Sequence, residues 1–233
     1  INDEMRGMAK FLLPLISRMA ETNDYHYFVG DFKNSAPIDK TSLVSSKFQL
    51  IKKIIIKAVS LAKSPSLKAK SRRWLELLFD YYLSKNLNEP CILVSTAYLE
   101  KSALKNKALG GQNVFISGNP DDQAIYDILQ RDKLKFDVEI NDPYTDLKRL
   151  KRINRCLSIA DKVIVFTQSQ LDTYSKSIPA HKLFFIESFV EPNYNIFSNN
   201  NIEKESEFTF CYIAHTVWLK GLTYLLEAWE QAN

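Results

Sequence analysis

The sequence predicts an α/β fold: a parallel sheet with helices on both faces, followed by a truncated second α/β domain. Three observations lead there. Short continuous apolar runs alternate with amphipathic helical stretches from Pro90 onward. Gly, Pro and Asn punctuate the junctions, as at Gly110-Gly111 and Ser117-Gly-Asn-Pro120. Between residues 191 and 207 the composition turns Asn-rich and charged, and a fresh apolar strand then begins.

In chain order, Met8, Phe11, Leu12, Leu15, Ile16 and Met19 recur at three- and four-residue spacings and predict a helix over Met5–Glu21. Tyr25–Val29 reads as a strand closed by Gly30-Asp31. A basic helix follows, broken at Ser64-Pro65-Ser66, and Trp74–Leu83 continues a helical pattern. Cys91–Val94 is an apolar run of the kind buried in a parallel sheet. A helix near Leu99–Leu109 stops at the double glycine, strand Asn113–Ile116 follows, and a helix runs through Ala124, Ile125, Ile128 and Leu129. Helix Leu147–Ala160, strand Lys162–Phe166, helix Gln168–Ser177 and strand Leu183–Ile186 complete the alternation. Strand Phe208–Ile213 and helix Leu219–Ala232 open the second unit. The expected division is residues 1–190 as one domain lacking its first strand, 191–207 as linker, and 208–233 as the start of another. The chain begins with Ile1 rather than Met and ends at Asn233 with no capping Gly, so a fragment at both ends is expected.

Charge is uneven. The net charge is +4, but Lys47–Arg73 holds nine cations and no acid, which leaves −5 for the rest. On a helix at ~100° per residue, Lys52, Lys53, Lys57 and Lys63 fall on one arc. Leu50, Ile51, Ile54, Ile55, Ala58, Val59, Leu61 and Ala62 fall on the other, with Ile56 among the lysines. Such a helix is either a surface element whose apolar arc joins the core, or a site of attachment to an anionic membrane surface. Aromatics do not interleave with the cations, so no nucleic-acid partner is expected. No apolar run approaches the ~20 residues that span a bilayer. Cys91, Cys156 and Cys211 are widely spaced in apolar contexts and read as buried free thiols of a cytoplasmic protein. His26, His181 and His215 are scattered, so no metal site is expected, and no cofactor.

The common phosphate-loop, hydrolase and zinc-protease signatures do not occur. Asp121, Asp122, Asp137 and Glu139 read as solvated turn carboxylates. The most informative stretch is Phe210–Leu222: Ala214 ends an apolar strand, His215 follows, and Lys220-Gly221 opens an amphipathic helix. A lysine and free N–H groups at a helix start, beyond the carboxyl end of a parallel strand, suit a phosphate.

This stretch, with Leu225-Leu226-Glu227-Ala228 closing the helix, resembles the start of the C-terminal domain in glycosyltransferase family 4. Ala160–Ser169 and His181–Pro192 are similar to the family's strand segments ahead of its interdomain linker, and Arg6-Gly7 to the end of its first loop. The resemblance implies a GT-B enzyme, with a Rossmann-like N-terminal domain, that moves a sugar from a nucleotide-sugar donor to a glycan, lipid or other acceptor with retention. It implies that Lys220 and His215 contact the donor diphosphate, with Gly7 in the loop closing over it. It places Ser117, Gly118 and Asn119 in the acceptor cleft, and the catalytic glutamate pair beyond Asn233. On that reading the chain alone is inactive, and it lies in the cytoplasm, at the inner face of the membrane if the basic helix binds there. The sequence departs from the family at His215 (usually Arg), at Phe189 and Glu191 in the linker turn, and in lacking an acceptor-side His. Those departures motivate a second expectation, a non-catalytic binding or assembly domain on the same scaffold. A third is another two-domain enzyme of nucleotide-linked substrates, such as a sugar-nucleotide epimerase.

Overall fold

The computed structural model describes residues 27–29, 41–43, 46–187, 212 and 218–232. Among them β1 (Tyr27–Val29) and β2 (Thr41–Leu43) form a small parallel pair. The main sheet holds β3 (Ile92–Ser95), β4 (Gln112–Ile116), β5 (Lys162–Val165) and β6 (Leu183–Phe185), all parallel and in chain order. Seven α-helices accompany these strands: α1 (Ser46–Ala62), α2 (Pro65–Asn86), α3 (Glu100–Ala108), α4 (Asp122–Phe136), α5 (Leu147–Ser158), α6 (Gln168–Tyr174) and α7 (Leu222–Ala232).

The register sets the core. Leu93 lies opposite Asn113, and Phe115 opposite Val163, so these side chains share one face of the pleat. On that face Leu93, Phe115, Val163 and Val165 pack with Ala103 of α3, with Ile153, Cys156 and Leu157 of α5, and with Tyr174 of α6. Each fully buried large apolar side chain there contributes about 1.5–3 kcal/mol. On the other face Ile92 is 60% exposed, and Val94 and Phe184 are exposed as well. The expectation of helices on both faces is therefore met on one face among the described residues. Chain order explains this: strands laid side by side in sequence, joined by right-handed crossovers, send their connections over one face.

Local chemistry fixes the helix ends. Ser64 caps α2, accepting from the Leu67 N–H, and Pro65 takes the first helical position, where no N–H is needed. Asp146 accepts from the N–H groups of Lys148 and Arg149 at the start of α5. Thr167 and Gln170 form a reciprocal capping box on α6. Helix α3 has no cap of its own. Asp80, 1% exposed on α2, supplies it by accepting from the N–H groups of Lys101 and Ser102 at 2.8 and 2.9 Å. Gly110 ends α3 at φ +91°, as the double glycine predicts. The buried Asn106 side chain then ties β3 to β4, accepting from the Cys91 N–H and donating to the carbonyls of Cys91 and Gln112. A Cβ on Gly111 would stand 2.1 Å from Asn106 Oδ1, so only glycine fits beside that clamp.

Several expectations need correction. The apolar arc of α1 does not join the core as a whole. Phe48 is buried against the rings of Phe79 and Tyr82, and Ile51, Ile55 and Val59 follow it at helical spacing as half-buried residues. Leu50, Ile54 and Leu61, the last 74% exposed, point away because, among the described residues, α1 packs chiefly along α2. Lys52 is half-buried beside the inner stripe, and Lys63 lies past the helix end at φ +49°. Cys156 is buried but Cys91 is exposed, and Cys211 lies outside the described residues. Asp121 is buried as the cap of α4, accepting from the Gln123 N–H and the Ser177 hydroxyl, so it is no solvated turn residue. Strand β2 is marked by no apolar run or alternation in the sequence.

Of the expected second unit, the structure describes residue 212, a 3-10 turn at Trp218–Lys220, and α7. Helix α7 starts three residues later than expected because that turn precedes it and Gly221 adopts φ +72°. It packs on α4. The Trp218 indole and the Tyr224 hydroxyl donate to the buried Asp132, Lys135 pairs with Glu227, and Phe136 meets both rings edge-on. The helix over Met5–Glu21, the linker and strand Phe208–Ile213 lie outside the described residues. Among the described residues, no helix is long and apolar enough to cross a membrane.

Candidate functional site

Ligands of open α/β sheets bind beyond the carboxyl ends of the strands. At that end of β3 and β4 a cavity of about 110 Å³ opens, lined by Thr96, Ser117, Gly118, Asn119, Tyr144 and Tyr174 over a floor of core residues. The Tyr174 hydroxyl donates to Ser117 Oγ at 2.9 Å, and Ser117 donates to the Asn119 carbonyl at 2.7 Å. Asn119 Nδ2 in turn donates to the Tyr144 hydroxyl at 2.9 Å. Burial pushes both tyrosine phenols up, so they stay protonated donors at neutral pH. The Ser95 and Thr96 hydroxyls, buried at the end of β3, have no partner. These hydroxyls and the amide are neutral groups that match a polyol.

An ionic network, buried except for the exposed Arg72, reaches the same cavity. Glu76 of α2 accepts from Arg72 at 2.9 Å, from Arg149 through both oxygens at 3.1 Å, and from Arg152 at 2.6 Å. Arg149 also pairs with Asp122 at 2.8 Å and lies over the Tyr144 ring, 5.2 Å from its centre. Burial raises the Asp122 pKa in spite of Arg149, whereas burial works against the Arg149 charge and is outweighed by Glu76 and Asp122. Asp122 is the one carboxylate among the residues lining this cavity, and Arg149 holds it. The expectation of a solvated Asp122 is corrected accordingly.

The structure brings Ser117, Gly118 and Asn119 together at the strand end. Lys220 is exposed and lines neither this cavity nor the one on the flank of the molecule, and its carbonyl accepts from the Tyr212 hydroxyl. Gly7 and His215 lie outside the described residues. Lys53 and Lys57 are exposed on α1, remote in sequence from the strand-end loops. Tyr144, Tyr174, Arg149 and Arg72 also line the cavity, though no sequence motif marks them. A signal existed for Arg149: arginines at 149 and 152 interrupt the apolar face that Leu150, Ile153 and Leu157 define. Among the described residues, no three His, Cys, Asp or Glu side chains gather as a metal site. At about 110 Å³ the cavity is smaller than the ~300–1,000 Å³ that encloses a drug-sized ligand, so it can hold one edge of a ligand. No family model matches the chain, and no curated protein matches it.

Proposed function

We propose that this chain is the acceptor side of a retaining glycosyltransferase that uses a nucleotide-sugar donor, with a glycan, lipid or other hydroxyl-bearing molecule as acceptor. The observation that carries the reading is the resemblance of Ala214, His215, Lys220-Gly221 and Leu225–Ala228 to the donor-side start of glycosyltransferase family 4, placed after a parallel α/β unit. The hydroxyl-lined strand end supports it, because Ser117, Asn119 and Tyr144 can exchange hydrogen bonds with sugar hydroxyls. Chemically, the role assigned to Lys220 is to neutralise charge that develops on the departing nucleoside diphosphate. His215 does the same only when protonated, which makes it the weaker cation. No metal or cofactor enters this reading.

Nucleoside diphosphate release by the full encoded protein, measured over a panel of nucleotide-sugars, tests it. Lys220→Ala is expected to lower release roughly 10²-fold. Release unchanged by that substitution would sink the assignment. Residues 1–233 alone are expected to bind nucleotide-sugars without saturation in calorimetry.

A second reading, a binding or assembly domain without chemistry, is favoured by one observation: the cavity's carboxylate, Asp122, is held by Arg149 and offers no free base. Binding of glycans without any donor turnover by the full protein would select it. Attachment to an anionic membrane belongs to either reading. Its support is α1, whose exposed Leu50, Ile54 and Leu61 form an outward stripe beside Lys53 and Lys57.

A further inference from the structure

A second cavity, of about 350 Å³, lies on the flank of the molecule between α2, α3 and α5. Its size is in the range of sites that hold small organic ligands. Trp74 and Leu77 of α2, both partly exposed, form an apolar wall. Facing them are Arg73, Lys148, Arg152 and Arg155, with Glu100 as the single acid of the lining.

The charges do not balance. Arg73 pairs with Asp146 and Arg155 with Glu100, while Arg72, Arg149 and Arg152 share Glu76, and Asp122 serves Arg149 alone. Arg72, Arg149 and Asp122 of this network line the strand-end cavity, so the flank cavity itself is lined by four cations and one acid. Arg152 is 3% exposed, and only its Nη2 reaches Glu76; Nε and Nη1 are buried and have no acceptor. Such donors cost stability when nothing accepts from them, and a water could take the hydrogen bonds but not the charge. A cationic lining with one acid, beside an apolar wall, matches a phosphate, which carries ≈ −1.5 to −2 near neutral pH and accepts through three oxygens.

We propose that this cavity binds a phosphate ester with an apolar organic part, the phosphate among Lys148, Arg152 and Arg155 and the organic part against Trp74 and Leu77. The ester is either a soluble metabolite or the headgroup of a lipid. The site is separate from the strand-end cavity and does not depend on the transferase reading.

NMR titration of the ¹⁵N-labelled 233-residue chain at constant ionic strength tests it, with phenyl phosphate and inorganic phosphate as probes. The indole N–H of Trp74 is expected to shift saturably with phenyl phosphate, and inorganic phosphate to bind about ten-fold more weakly for want of the apolar contact. Lys148→Glu, an exposed position, is expected to weaken phenyl phosphate binding about ten-fold or more with the fold intact by circular dichroism. Shifts that fail to saturate, or that are the same in Lys148→Glu, overturn the proposal. Given saturable binding, competition by phosphatidylglycerol vesicles but not phosphatidylcholine vesicles identifies a lipid headgroup as the source. Absence of competition by either identifies a soluble ester.

Discussion

Helices α1 and α5 are both strongly basic, yet they use their charge in opposite ways. Helix α5 carries Lys148, Arg149, Lys151, Arg152 and Arg155 in twelve residues and buries two of them. Helix α1 carries Lys47, Lys52, Lys53 and Lys57 and buries none. The difference lies in the partners. Arg149 and Arg152 meet Glu76, which α2 presents from more than seventy residues away, and the planar guanidinium forks around one carboxylate. Lys53 and Lys57 of α1 are exposed to water, and their own stretch of chain offers no such carboxylate. A count of cations along a chain therefore measures potential for surface binding only after the acids supplied by other elements are known.

Breaking the buried side of this comparison has the largest expected effect. Glu76→Gln keeps the shape but leaves three guanidinium groups around an uncharged amide, and is expected to cost about 3–5 kcal/mol in denaturant unfolding. A loss below 1 kcal/mol would show that the arginines find other acceptors. The exposed side sharpens it. Lys53→Gln with Lys57→Gln is expected to leave stability within about 0.5 kcal/mol. The same pair should weaken sedimentation with phosphatidylglycerol vesicles about thirty-fold, from ~1 kcal/mol per cation. Equal binding of the parent protein to neutral vesicles would defeat the electrostatic part of the membrane reading.

The smallest effect concerns the rim between the two extremes. Hydrogen bonding to Arg155, and its charge, hold the Glu100 carboxyl below its ordinary value. A carboxylate whose pKa is lowered by folding stabilises the fold above its unfolded pKa and loses that contribution as pH falls through the folded one. Melting temperature should therefore fall somewhat less steeply below about pH 4.5 in Glu100→Gln than in the parent. The effect is modest because the Arg155 side chain is largely in water. Parallel curves would show that the pair contributes nothing.

Much of the sheet is legible in the residues because its strands are short apolar runs with punctuation on either side. Strands β3 to β6 and helices α3 to α6 lie within a few residues of the segments their periodicity marks out. Strand β2 is not legible: Thr41-Ser-Leu43 has neither length nor a flanking turn signal to distinguish it. The orientation of α1 fails for a different reason. Apolar residues occupy two arcs, Phe48-Ile51-Ile55-Val59 and Leu50-Ile54-Leu61, and periodicity alone does not say which arc meets a neighbour. Ser117, Gly118 and Asn119 are found as a turn after a strand, which locates the strand end but not its lining. Tyr144, Arg149 and Tyr174 join them only through folding, 25, 27 and 57 residues along the chain from the side chains they bond.

The cap that Asp80 lends to α3 has a consequence for how the molecule assembles. The first turn of α3 has no local residue to hold its free amide hydrogens, so it becomes secure only when α2 arrives alongside. Secondary structure and docking are thereby fused at this point into one event. The stretch that leads from β3 toward the clamp at Asn106 inherits its order from a neighbour rather than from its own letters.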